Sequence, residues 1–130
     1  VESVIKFNKD AYKNLNVDFR VIDITKDDLP QAEIVFLRQV LQHLSNEKII
    51  AALPQILSKY KYLILTEHLP SSNTFTPNLD ILTGPETRIQ SNSGLVLTSA
   101  PFNLKVIDES CLCEVIYSVG RIRTTMYRLN

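Results

Sequence analysis

"EIVFLRQVLQHLSNEKIIAALPQILSKYKYLILTEH", residues 33–68, decides how the fold is read. It opens on a short, nearly continuous apolar run over residues 33–38, as expected of a strand covered on both faces. Ser45 stands where a helix N-cap belongs, and Ile49, Ile50, Leu53, Ile56 and Leu57 form the apolar set of a helix over residues 46–58. Pro54 lacks a backbone donor and is expected to kink that helix. "YKYLILTEH", residues 60–68, is a second buried strand that runs into polar residues. A strand–helix–strand unit predicts parallel pairing through a crossover.

Upstream, Val1, Val4, Ile5, Tyr12 and Leu15 recur at helical spacing, which predicts an amphipathic helix over residues 1–15. "VDFRVIDI", residues 17–24, alternates Val17, Phe19 and Val21 against Asp18 and Arg20, the pattern of a strand ending at Asp23. "TKDDLPQA" reads as a loop. Downstream, residues 69–101 are rich in Pro, Gly, Ser, Thr and Asn. A loop this long within one domain is usually functional, so a lid or insertion is expected there. "LCEVIYSV" and "RIRTTMYRL" then give two β-rich runs hinged near Gly120. They are too close for a crossover helix, so an antiparallel hairpin is expected.

Composition excludes several function classes. The 130 residues fit one domain, residues 1–130, and the 14 acidic and 14 basic side chains leave no net charge to select nucleic acid or an anionic membrane. No apolar run is long enough for a transmembrane helix. Arg121 and Arg123 share a face of the last strand, yet without an aromatic platform they read as a solvated edge. Cys111 and Cys113 are too close for an ordinary disulfide, which fits a reducing cytoplasm. One residue apart on a strand, they are expected to face one side and with His43 and His68 raise a metal question, but their spacing is not that of structural zinc ligands, and no metal is expected.

The ordered series from "VDFRVIDI" through "VLQHL" to "YLILTEH" resembles the middle of class I S-adenosylmethionine-dependent methyltransferases. In that family a strand ends in an acidic residue, a later strand leads into a "VLxHL"-type helix entry, and an antiparallel hairpin closes the sheet. The resemblance implies an α/β fold: a partial Rossmann-like methyltransferase sheet, mostly parallel, with a C-terminal hairpin and helices on both faces. The family's glycine-rich cofactor turn is absent, because the three glycines are Gly84, Gly94 and Gly120. The first helix matches the one after the family's second strand. The chain therefore resembles the C-terminal portion of a methyltransferase domain, whether of a truncated, incompletely represented or degenerate parent.

For the complete protein the resemblance implies S-adenosylmethionine as cofactor, direct transfer of its methyl group and a small-molecule substrate. The chain alone is expected to bind the cofactor weakly or not at all. Asp23 would accept a hydrogen bond from the adenine amino group, with the backbone of Ile24 facing the ring; otherwise Asp23 caps a turn. Arg38, Gln39 and Val40 would pass beside the methionine end, or form a solvated loop. Glu67 and His68, where the strand ends, would orient a nucleophile or accept its proton, or simply begin a loop. Asn78, Asp80 and Arg88 would meet substrate from the lid, or order the loop among themselves. His43 reads as a structural hydrogen-bonding group.

The family's sheet order separates residues 17–24 from residues 33–38 by strands absent here. An open apolar edge follows, and with it self-association, direct pairing of the two strands, or completion by an upstream segment. The competing reading is a non-catalytic methyltransferase-like module for binding or oligomerisation, since fold alone does not fix function.

Overall fold

A computed structural model describes residues 2–130. Helix α1, Glu2–Ala11, comes first, and an extended segment leads to strand β1, Ile34–Arg38. A 3-10 turn, Leu41–His43, precedes helix α2, Asn46–Lys59, and strand β2, Tyr62–Pro70, follows. Two short strands, β3 (Thr76–Pro77) and β4 (Ser93–Gly94), flank a 3-10 turn at Arg88–Ser91. Strands β5, Asp108–Tyr117, and β6, Gly120–Arg128, complete the chain.

The main sheet has the order β1-β2-β6-β5. β1 pairs in parallel with β2, from Ile34↔Tyr62 to Arg38↔Thr66. β6 lies antiparallel between β2 and β5, so three of the four strands run in one direction. This is the expected placement: the strand nearest the C-terminus sits beside β2, and the hairpin closes the sheet.

Helix α2 packs its apolar stripe on one face of this sheet. Ile49, Ala52, Leu53 and Ile56 join Leu37, Leu63, Leu65 and Tyr127 in the core. The Ser45 hydroxyl accepts the Lys48 amide at 3.4 Å, and the Asp80 carboxylate accepts the Asn46 amide at 2.7 Å, so two orphan donors of the first turn are satisfied. The helix continues through Pro54. The carbonyl deprived of its donor belongs to Ile50, a residue on the exposed side of the helix.

Three expectations are corrected. Residues 17–24 form no strand: the segment pairs with no strand among the described residues and enters a turn at Ile24. Nor does its alternation mark the covered side: Val17 and Val21 are exposed, the core contacts come from Ile22 and Ile24 on the opposite parity, and Phe19 lies 5.9 Å from the Tyr12 ring. Helices do not cover both faces, since α1 buries none of its residues. The second face of the sheet stays bare, with Phe36 69% and Tyr117 60% exposed. Finally, Cys111 and Cys113 do not share a face. A bulge between them pairs Cys111 with Thr125 and Cys113 with Thr124, which point to opposite sides. Both cysteines are free and exposed.

Candidate functional site

The C-terminal ends of β1 and β2 lie side by side, where open α/β sheets gather ligand contacts. Just past β1 the chain turns sharply. Gln39 adopts a left-handed conformation (φ 53°), and its amide donates to the Thr66 carbonyl at 2.7 Å. That bond ties the turn to β2 and sends Val40 back across the strand ends. Arg38 is exposed at the end of β1.

Val40 and Leu44 form one wall of an open cleft of about 420 Å³. The opposite wall is the run from Val21 to Thr25, with Asp27 at its rim. Three residues expected at a cofactor site, Asp23, Ile24 and Val40, therefore line a single space although they come from two separate segments. Arg38 and Gln39 do not line it.

Asp23 also organises its own turn. One carboxylate oxygen accepts the amide of Thr25 at 2.9 Å and its hydroxyl at 2.7 Å, while Lys26 stands 3.4 Å from the other. The Thr25 hydrogen bonds, assisted by Lys26, hold this carboxyl below the ordinary carboxylate value. The segment that follows is pinned to α2. Gln55 accepts the Leu29 amide at 3.1 Å and donates to the Asp27 carbonyl at 3.0 Å, and Lys59 pairs with Asp28.

Glu67 and His68 are neighbours in a strand, so their side chains leave opposite faces of the sheet. Glu67 points toward the α2 side and is 3% exposed. Its Oε2 accepts the Gln42 amide at 3.2 Å, and burial pushes its carboxyl up to about 8 against the pull of those amides and of Arg88. His68 faces the bare side at 5.9 Å from the Tyr117 ring, and its Nε2 has no partner among the described residues. Gly120 packs against that imidazole so closely that a Cβ there would lie 2.6 Å from Nε2. The two residues do not form a single acid–base pair.

The segment from Ser71 to Ile107 is built around Asn78 and Arg88, both buried. Asn78, at φ 59°, donates to the carbonyls of Val96 at 2.8 Å and Ala100 at 2.9 Å and accepts the Val96 amide at 2.8 Å. Arg88, 2% exposed, donates to the carbonyls of Leu79 (2.8 Å), Gln42 (3.2 Å) and Leu44 (2.9 Å) and to Asn46 Oδ1 (2.8 Å). Asp80 borders a hollow of about 530 Å³ beside the α2 N-terminus, while its carboxylate caps Asn46. His43 Nδ1 lies 3.1 Å from the Glu86 carbonyl oxygen and so holds the same segment.

Gln42 was not legible as a site residue. It is buried, its Oε1 accepts the His68 amide at 3.0 Å, and its own amide and carbonyl meet Glu67 and Arg88. A polar residue between Leu41 and His43 in a strand-to-helix entry is the only signal the sequence offers. Arg121 and Arg123 do not form the expected solvated edge: β6 lies inside the sheet between β2 and β5, and both arginines pair with Glu114 of β5, at 3.5 Å and 2.6 Å. No group of three or more metal-ligating side chains exists among the described residues. Nor is any helix among them long and apolar enough to cross a membrane.

No protein-family model matches the chain, and no curated protein matches it. Among solved structures, the crystal structure of the N-terminal domain of EvdMO1 in the presence of SAH and D-fucose superposes on it with a TM-score of 0.61 at 18% identity. The superposition covers 95% of this chain and 59% of that one. The two share a fold, and this chain spans a little over half of the other's length.

Proposed function

We propose that the chain is the C-terminal portion of an S-adenosylmethionine-dependent methyltransferase domain acting on a small molecule, and that the cleft between residues 21–25 and 40–44 takes the adenine end of the cofactor. The observation that carries this reading is the convergence of Asp23, Ile24 and Val40 on one cleft. Its chemistry fits a purine: apolar side chains on two walls for the ring faces, and one carboxylate, kept ionised by Thr25, to accept from an exocyclic amino group. That the neighbouring fold was crystallised in the presence of SAH supports the same class of ligand.

The fit is partial. The amino-acid end of such a cofactor calls for a glycine-rich turn, and no glycine precedes Gly84. When bound, the cofactor supplies an electrophilic methyl group for direct transfer to a substrate nucleophile. The residues present hold and orient. Asp23 and Ile24 fix the adenine edge, the left-handed turn at Gln39 aims Val40 at the ring, and Arg38 stands at the strand end beside them. Asn78, Asp80 and Arg88 serve the substrate side by building the covering segment, not by touching the ligand. With Glu67 sealed and His68 shielded, rate enhancement rests on proximity and orientation.

Equilibrium binding of adenosine and S-adenosylhomocysteine to the 130-residue chain tests this, with guanosine as control. Guanine presents a carbonyl oxygen where adenine presents an amino group, so Asp23 should reject it. The expected result is saturable binding weaker than micromolar by the adenine compounds alone, lost in Asp23→Ala. Micromolar affinity for this chain, or equal binding of guanosine, would overturn the reading.

The bare sheet face and the free edge of β1 favour a second reading, a non-catalytic module for oligomerisation. A defined oligomer with no adenosine binding would select it.

A further inference from the structure

A buried polar network lies directly behind the Val40–Leu44 wall of the cleft. From β2, Glu67 Oε2 accepts the amide of Gln42 at 3.2 Å. The Gln42 side chain returns to β2, where its Oε1 accepts the His68 amide at 3.0 Å. From the other side Arg88 donates to the carbonyls of Gln42 at 3.2 Å and of Leu44 at 2.9 Å. The turn that carries Val40 and Leu44 is therefore gripped at its middle by Glu67 and at its end by Arg88. Neither side chain reaches solvent, so neither touches a ligand directly. What they set is where the wall stands.

We infer that Glu67 is a positioning residue for the cleft, acting through Gln42 and the 40–44 turn on Val40 and Leu44; the inference rests on the cleft being a ligand site. The carboxyl is the sole side-chain acceptor holding the turn's backbone to β2 among the described hydrogen bonds. Its charge state should therefore move the turn. Burial keeps it neutral up to about pH 8. Arg88, from the 88–91 turn, favours the ionised form. On β6, Arg123 lies in register with Glu67 but is paired to Glu114 of β5 at 2.6 Å. His43 in the turn itself is held by Glu86 and Gln42, and Asp80 acts on Arg88 from the far side. Ionisation strengthens the pull of the carboxylate on the Leu41 and Gln42 amides, while Oε1 has no partner among the described residues, so the turn shifts with the charge.

The test is methyl NMR on the intact chain without ligand, from about pH 5 to about pH 10. The Val40 and Leu44 methyls are expected to titrate together with a midpoint of about 8, while those of Ile56 and Leu104, in the core away from the turn, stay fixed. In Glu67→Gln the Val40 and Leu44 signals should be flat with pH and stay near their low-pH positions. In Glu67→Ala they should be displaced at every pH. The same titration in Glu67→Gln, or unmoved methyls in the wild-type chain, would overturn the inference. If Glu67→Ala does not fold, the glutamine variant still decides. Because no ligand is present, failure of the coupling is distinguishable from failure of the cleft to bind adenosine.

Discussion

Glu67 binds its proton more tightly in the folded chain than in the unfolded one, because the core strips water from the carboxylate. Its value is raised from the ordinary 4.5 to about 8, so the native state holds the extra proton between those limits. The contribution is fully present below the ordinary value, declines as pH rises and is gone above about pH 8. Glu67→Gln should flatten this decline and gain on the order of 3–5 kcal/mol over wild type at alkaline pH. Thermal melts of both proteins at acidic and alkaline pH decide it, and parallel melting curves would refute it. Arg88, by contrast, should be costly to lose. Arg88→Ala strands three carbonyls in the interior, and a loss on the order of 3 kcal/mol or more is expected in denaturant unfolding. Arg88→Lys should recover little, because one ammonium cannot span the Leu79, Gln42 and Leu44 carbonyls. At this scale the sequence brought Asp23, Ile24 and Val40 together only through the family resemblance, and the three do line one cleft although Asp23 ends no strand. Gln42 and the burial of Arg88 were not legible. Nothing local in "TPNLDILTGPETR" reveals that its arginine turns inward to carbonyls far away in sequence.

The elements show the same division. Helix α2 and strands β1, β2, β5 and β6 follow from periodicity; the crossover gives the β1–β2 pairing and the short hairpin the β5–β6 pairing, while the place of β6 beside β2 came only from the family resemblance. The segment at residues 17–24 has strand periodicity but no strand: pairing needs a neighbour, and the alternating Val17 and Val21 stay exposed while Ile22 and Ile24 meet the core. Helix α1 has an amphipathic pattern but buries nothing, for the same reason. The bulge in β5 was hidden because an inserted residue leaves no compositional trace. Within the hairpin, Gly120 is required by crowding and not by backbone conformation. A Cβ there would lie 2.3 Å from the Leu69 carbonyl oxygen, a backbone atom that cannot swing away. Gly120→Ala should therefore cost about 1–3 kcal/mol through overpacking, seen as a lowered denaturation midpoint. Wild-type stability in that variant would mean that β2 and β6 separate more freely than their register implies.

For the whole molecule, the bare face and the free edge of β1 are the dominant features. Phe36 on the face and an unpaired strand edge together form a template for another chain. The chain by itself is expected to self-associate, and Phe36→Lys should shift sedimentation toward monomer; a monodisperse wild-type monomer would contradict this. At this scale the strand ends and the 21–25 segment together would make the proposed adenine site. It is tested most directly by mapping amide shifts across the chain during titration with S-adenosylhomocysteine. Perturbations confined to residues 21–27 and 39–44 are the predicted result. Shifts centred instead on the bare sheet face or on the hollow beside Asp80, or none at millimolar ligand, would contradict it.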